Sequence, residues 1–160
     1  MNALYLIGLG SNMRHPRIGS PRHVIGAGAG AMVDAGLDVL AISKAISSRP
    51  LGPSQRTYTN AVAAIEAELS PPDLLELLHD IEDAFGRSRI GQRWRSRTLD
   101  LDILLWSGGI WQSADLQIPH PEMARRDFVI GPAAQIAGEW RHPLLGLTLN
   151  QINARLIRPN

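Results

Sequence analysis

The sequence predicts an α+β domain built on a ferredoxin-like βαββαβ core with an antiparallel sheet, extended toward the C-terminus by an extra hairpin and short helices. Three observations lead there. Apolar runs of strand length, punctuated by glycine and proline, fall at residues 3–9, 37–47, 58–69 and 98–106. Helical signals fall between the first and second runs and between the third and fourth, at residues 21–35 and 70–86. A chain of 160 residues at 44% hydrophobic content fills one core but not two, so residues 1–160 read as a single domain with no linker and no internal repeat.

The first run is closed by glycines, as a short buried strand is. The helix after it is weak on propensity, because Gly26, Gly28 and Gly30 each cost about 1 kcal/mol relative to alanine. Residues 37–47 carry Val39, Ala41, Ile42 and Ile46 and are expected as one strand, followed by a loop over 48–57 that holds Pro50, Gly52 and Pro53. In the third strand, Val62 should face inward and Glu66 and Glu68 outward. Ser70 caps the second helix, with Pro71 and Pro72 in its first turn and Asp73 at its positive end; Leu74, Leu75, Leu77, Leu78 and Ile81 form the apolar stripe, and Gly86 ends it. After the fourth strand, Ser107-Gly108-Gly109 turns the chain into a short return strand at 110–112, and helices are expected at 128–137 and 148–156.

Composition narrows the function classes. Sixteen basic against fifteen acidic residues leave a net charge of +1, so no global field draws the chain onto nucleic acid or membrane. With no cysteine, disulfides, thiolate ligands and a cysteine nucleophile are excluded; this leaves the compartment undecided and is compatible with the cytoplasmic setting expected for the chain. The first residues make a poor signal peptide, and no apolar run has membrane-spanning length. Gly26-Ala-Gly28-Ala-Gly30-Ala31 imitates a dinucleotide-binding fingerprint, but no acidic residue occurs from 39 to 65 to meet a ribose. Neither a P-loop nor a Gly-x-Ser-x-Gly elbow is present.

Chemistry concentrates in two adjoining segments. Residues 87–97 hold five arginines, at 87, 89, 93, 95 and 97, and no acid, so the segment is either solvated or bound to anions. Directly after it, the alternation of Thr98-Leu-Asp-Leu-Asp-Ile-Leu-Leu105 puts Leu99, Leu101 and Ile103 on one face and Asp100 and Asp102 on the other. Their α-carbons should stand about 6.5 to 7 Å apart, from which two carboxylates can converge on a magnesium pair. Arginines that clamp a polyphosphate next to carboxylates that hold its metal form one electrostatic unit. Pro119-His120-Pro121, with Arg125 and Arg126 behind it, offers a second polyphosphate contact. Tyr58 and Asn60 share a strand face and pair an aromatic plane with an amide suited to a flat heterocycle.

In order along the chain stand Gly10-Ser-Asn12, Pro50-Leu-Gly-Pro53, Tyr58-Thr-Asn60, Ile81-Glu82, Gly86-Arg-Ser-Arg89, Arg93-Trp94, Arg97-Thr-Leu-Asp-Leu-Asp102, Pro119-His-Pro121 and Arg126-Asp-Phe128. Over nearly its whole length this pattern resembles the hydroxymethyl-dihydropterin pyrophosphokinase family of folate biosynthesis. The resemblance implies pyrophosphate transfer from ATP to a hydroxymethyl pterin, with two magnesium ions on Asp100 and Asp102. It also implies that Arg87 and Arg97 lie in mobile catalytic loops, that Arg89, Arg93, His120 and Arg126 contact phosphates, and that Leu75, Glu82 and Ile103 seat the nucleoside. The pterin would stack between Tyr58 and Phe128, read by Asn60 and by the backbone of Ser48, Arg49 and Leu51, with Trp94 closing over it. ATP and pterin are the implied small-molecule partners, with the next enzyme of the folate pathway as a possible protein partner. Three features depart from the family pattern: Trp94-Arg-Ser-Arg97 lacks the usual glycine and proline, His79 replaces a glutamine, and Asp115 replaces a base. They keep open a non-catalytic relative that binds pterin or nucleotide.

Overall fold

A computed structural model describes residues 2–48, 58–86 and 98–157. In chain order the elements are β1 (Ala3–Ser11), α1 (Pro21–Asp34), β2 (Asp38–Ile42), β3 (Ile46–Ser48), β4 (Tyr58–Ala67), α2 (Pro71–Gly86), β5 (Asp100–Trp106), β6 (Trp111–Gln112), β7 (Gln117–Ile118), a 3-10 turn (Met123–Arg125), α3 (Asp127–Ala137) and α4 (Leu149–Ile157). The main sheet is antiparallel in the order β2-β4-β1-β5, with β3 also paired to β4. The protein is therefore α+β, as the pattern of runs predicts.

β4 shows how the layers are arranged. Its residues from 61 to 65 are all buried, which departs from the one-sided alternation expected of this strand. Ala61, Ala63 and Ile65 enter a core with Tyr5, Ile7, Leu9, Leu74, Leu78, Leu101 and Ile103, beneath α1 and α2. Val62 and Ala64 enter a second core with Leu6, Leu104, Met123, Ile130, Ala133 and Ile152, beneath α3 and α4. A strand covered on both faces becomes continuously apolar. Val62 is buried as expected, and Glu68 is exposed.

The helices follow local chemistry. In α2, the Ser70 carbonyl accepts the Leu74 N–H at 2.9 Å and its Oγ accepts the Asp73 N–H at 3.4 Å, which satisfies amides left open at a helix start. The dinucleotide-like glycines lie inside α1, and they are not equivalent. A Cβ on Gly28 would stand 2.9 Å from Leu99 Cδ2, whereas one on Gly26 or Gly30 would meet nothing within 4 Å. Gly28 thus lets α1 close onto the fully buried Leu99. Gly26→Ala and Gly30→Ala should each stabilise the fold by about 0.5–1 kcal/mol, while Gly28→Ala should destabilise it by about 1 kcal/mol, read from urea midpoints.

Two strands differ from expectation. The run at 37–47 divides into β2 and β3 because Ser43 alters the ladder: its N–H donates to the Val62 carbonyl at 2.8 Å, and its Oγ accepts the Val62 N–H at 2.9 Å. The side chain does the work of a backbone carbonyl, and the strand bends. The return strand exists as β6, but it pairs with β7 (Trp111↔Ile118, Gln112↔Gln117) and forms a separate two-stranded ribbon.

Although no repeat is evident at domain scale, the pentapeptide His-Pro-x-x-Gly occurs at 15–19 and 142–146 and folds alike in both places. Each imidazole Nδ1 accepts two backbone N–H groups, from Arg17 and Ile18 at 3.1 and 3.2 Å and from Leu144 and Leu145 at 3.3 and 3.2 Å. Each glycine, at φ +118° and +71°, donates its N–H back to the histidine carbonyl. His142 is only 5% exposed, and burial pushes its imidazole below the ordinary histidine range. The unfolded chain therefore binds this proton more readily than the native one, so the contribution of His142 is intact above about pH 6.5 and declines as pH falls below it. Between pH 7 and 5 the urea midpoint should fall more in the wild type than in His142→Asn, whose amide oxygen keeps accepting the two N–H groups.

Candidate active site

The site grows out of the register of three strands. Asn60, Gly10 and Asp100 form one cross-strand row, and Val62, Gly8 and Asp102 form the next. Partners in register share a sheet face, so both carboxylates and Asn60 stand on the face that farther along supports α3. Where α3 packs, that face is buried; at the two rows, Asp100 and Asn60 are half-buried and Asp102 is exposed. Both aspartates stand opposite Leu99, Leu101 and Ile103, as the alternation of the segment predicts.

Glycine in the central strand makes a trough. Asn60 and Asp100 stand two strand spacings apart, roughly 9.5 Å, and the β1 residue between them, Gly10, has no side chain. A Cβ on Gly10 would meet Asn60 Oδ1 at 3.1 Å and Tyr58 Cε1 at 3.8 Å. The Tyr58 ring lies over this space, 39% exposed, with its hydroxyl directed at the Asp100 carboxylate. Burial first, then the charge and hydrogen bond of Asp100 and the charge of Asp102, raise the Tyr58 phenol above its usual range; Arg126 opposes them. Tyr58 therefore stays a neutral donor at physiological pH. Asn60 Nδ2 and Asn12 Oδ1 are buried without a hydrogen-bond partner. Orphaned groups of this kind beside an open trough suit a polar ligand. Gly8, Gly10 and Asn12 are the residues whose part sequence reading understated; the spacing of two glycines in a buried strand was the available signal.

His120 is fixed by backbone bonds. Leu104 is an extra residue of β5 where the pairing shifts between Leu6↔Leu105 and Ile7↔Ile103, and its carbonyl accepts the His120 N–H at 3.0 Å. The Ile118–Pro119 peptide is cis. His120 Nδ1 accepts the Glu122 N–H at 3.1 Å, which puts the ring proton on Nε2. Arg126, exposed at the start of α3, carries its guanidinium 5.8 Å from the centroid of Phe128, so one face of that ring is covered by a cation. Arg125 pairs with Glu122.

The residues assigned to the nucleoside stand on the other side of β5. Ile103 is 3% exposed in the core beneath α1 and α2, and Leu75 is half-buried against that core. Glu82 of α2 is 5% exposed and accepts the Leu101 N–H at 2.7 Å. His79 is exposed on α2 and Asp115 between β6 and β7. Arg49, Leu51, Arg87, Arg89, Arg93, Trp94 and Arg97 lie outside the described residues, as does the side chain of Ser48.

Among the described residues no group of three or more His, Asp or Glu could hold a metal. The pair Asp100 and Asp102 offers hard oxygen donors on one solvent-reached face. That set suits magnesium, which takes one or two carboxylates and completes its shell with water and phosphate oxygens.

Over residues 6–138, a span that includes every side chain described for this site, the sequence matches 7,8-dihydro-6-hydroxymethylpterin-pyrophosphokinase (HPPK). The chain belongs to the HPPK family. It is similar to proteins named 2-amino-4-hydroxy-6-hydroxymethyldihydropteridine pyrophosphokinase from several bacteria. The Synechocystis protein is 42% identical over 127 residues, 79% of this chain and 65% of that one. The Haemophilus influenzae protein is 49% identical over 112 residues, 69% of this chain and 66% of that one, and the Pseudomonas aeruginosa protein is 37% identical over 147, 86% and 82%. The alignments thus span slightly under two thirds of the first two HPPK relatives. The crystal structure of wild-type Plasmodium falciparum HPPK-DHPS with SDX-DHP shares the fold, with a TM-score of 0.74 at 12% identity over 98% of this chain and 45% of that one.

The chain has two tyrosines, Tyr5 and Tyr58, and burial pushes Tyr5 up to about 12. In a spectrophotometric titration, Asp100→Asn should lower the Tyr58 midpoint and leave that of Tyr5 in place; Tyr58→Phe identifies which midpoint is which.

Proposed function

We propose that this HPPK-family chain transfers pyrophosphate from ATP to the hydroxymethyl group of 6-hydroxymethyl-7,8-dihydropterin, releasing AMP, in folate biosynthesis. The observation that carries this reading is the row Asn60–Gly10–Asp100, which sets an unpartnered buried amide group and a carboxylate on either side of a trough floored by glycine. The family match and the names of the relatives support it. The sheet order β2-β4-β1-β5, antiparallel throughout, supports the ferredoxin-like class within α+β, and the match over 6–138 supports one pyrophosphokinase domain.

In this reading Tyr58 and Phe128 flank the pterin ring and the Asn60 amide reads its edge, so that the hydroxymethyl oxygen lies beside Asp100. Positioning of this kind removes much of the entropic barrier to a two-substrate reaction. The oxygen attacks the β-phosphorus of ATP in line, and the bond to the AMP oxygen breaks. Asp100 and Asp102 hold two magnesium ions, whose chemistry is to offset the charge of the triphosphate. His120 donates through Nε2–H to a phosphate oxygen, and Arg126 adds fixed positive charge on the same side. The arginines of 87–97 and Trp94 close the site, and the backbone of Ser48, Arg49 and Leu51 completes the pterin pocket. Arg87 and Arg97 act in the closing loops and Arg89 and Arg93 hold phosphate, while Leu75, Glu82 and Ile103 line the nucleoside side, where β5 is the outer strand of the described sheet. A cytoplasmic setting, and contact with the next enzyme of the pathway, belong to the same reading; the name HPPK-DHPS of the solved relative supports the latter.

The test is incubation with ATP, magnesium and the reduced hydroxymethyl pterin, with nucleotides separated by chromatography. AMP should appear only with pterin, and Asp100→Asn and Asp102→Asn should each lower turnover by about 100-fold or more. ADP would indicate an ordinary kinase, and pterin binding without AMP a non-catalytic relative.

A further inference from the structure

β5 is an edge strand of the described sheet, with β1 on one side. The peptide that joins Asp100 to Leu101 presents its N–H away from β1, toward α2, where Glu82 Oε2 accepts it at 2.7 Å. Glu82 is 5% exposed and Leu101 2% exposed, so this bond is made inside the protein. A carboxylate buried to that degree is costly unless hydrogen-bonded, and a charge-assisted bond to a backbone N–H is among the stronger ones available. An edge peptide without a partner is free to twist, and the side chains on either side of it turn with it. Here the side chain just before it is Asp100, and Asp102 follows one residue past Leu101.

We infer that Glu82 is a positioning residue for the carboxylate pair: by pinning the Asp100–Leu101 peptide on the outer edge of β5 it sets the angle at which Asp100 and Asp102 meet divalent metal. This rests on the proposed function and goes beyond the nucleoside-seating role that the family resemblance implies for Glu82. The side chain acts through the backbone. No group of three carboxylates or histidines able to hold a metal occurs among the described residues, so Glu82 is not a third ligand of the pair. Gly10 and Gly8 hold Asp100 and Asp102 from the β1 side, and Glu82 holds the peptide between them from the α2 side. Partners that orient metal ligands in this way commonly change metal affinity by about 10- to 100-fold when removed.

The experiment compares the wild type with Glu82→Gln, Glu82→Ala and Glu82→Asp. Two readouts are taken on each: hydrogen exchange at the Leu101 amide by NMR, and Mn2+ affinity by EPR with a non-hydrolysable ATP analogue. Glu82→Gln keeps an acceptor oxygen and should retain most of the Leu101 protection and most of the metal affinity. Glu82→Ala should lose Leu101 protection selectively and weaken Mn2+ by about 10-fold. Glu82→Asp keeps the charge but withdraws the acceptor by one methylene, and should behave like Glu82→Ala even if the alanine variant folds poorly. Unchanged Mn2+ affinity in a variant that has lost Leu101 protection would overturn the inference. So would a Glu82→Gln as weak as Glu82→Ala, which would make the charge rather than the bond responsible. A wild type that binds Mn2+ but releases no AMP with pterin would sink the functional reading alone, while one that binds no Mn2+ would overturn both.

Discussion

The register of β1 between β4 and β5 governs where every polar side chain of the sheet stands, because a slip of one residue in any antiparallel pair moves its whole set of side chains to the opposite face. With Gly10 opposite both Asn60 and Asp100, the amide and the carboxylate share a face and a row; with Gly8 opposite Val62 and Asp102, the next row begins the transition to core. Slippage is opposed from within. Tyr5, Ile7 and Leu9 alternate with those glycines and are at most 1% exposed. Moving them to the open face would expose three large apolar groups, each worth about 1.5–3 kcal/mol of burial.

That register makes one strand serve two environments. Toward its C-terminal end β5 inserts Leu104 and Leu105 beneath α3 and α4, and toward its start it presents Asp100 and Asp102 to solvent. The change happens at the bulge. Leu104 has no partner in β1, and its carbonyl turns outward to the His120 N–H. Bulges re-aim the groups beside them and are common next to active sites. The bulge here ties the Pro119-His120-Pro121 segment to the strand that carries the carboxylates, so a histidine distant in sequence is held to that strand by a backbone bond.

Much of this was legible in the sequence, and what was not shares a cause. The facing of Asp100 and Asp102 and the stripe of α2 came from period alone, since period reports which side is buried. Pairing leaves no such trace. Nothing local in residues 37–47 says that Ser43 Oγ will replace a carbonyl, and β6 could not be told from a strand returning onto β5 without the position of β7. The continuous burial of β4 hid the second core, because a strand covered on both faces loses alternation. Gly28 read as a helix weakness until Leu99 appeared against it. Tyr58 and Asn60 were paired correctly from their spacing, yet the reach of the tyrosine hydroxyl to Asp100 required the glycine gap between strands. The His-Pro-x-x-Gly turns were visible as letters and carried no meaning until each imidazole was seen to accept two backbone amides.

The carboxylates are therefore aimed mostly by backbone contacts. Glu82 holds the peptide between them, Gly8 and Gly10 hold the rows they occupy, and the Leu104 carbonyl fixes the segment that presents His120. Such contacts carry little sequence signature beyond glycine and a buried acid, but they are stiff: a backbone N–H has one direction, whereas a long side chain has many rotamers. A trough floored by glycine could not position a ligand by packing, because it has no side chains with which to pack. Rigidity must come from the strand edges, and Glu82 on the outer edge and β4 beyond β1 supply it. The Tyr58 ring then lies over the trough, its hydroxyl directed at Asp100, without displacing either carboxylate from its row.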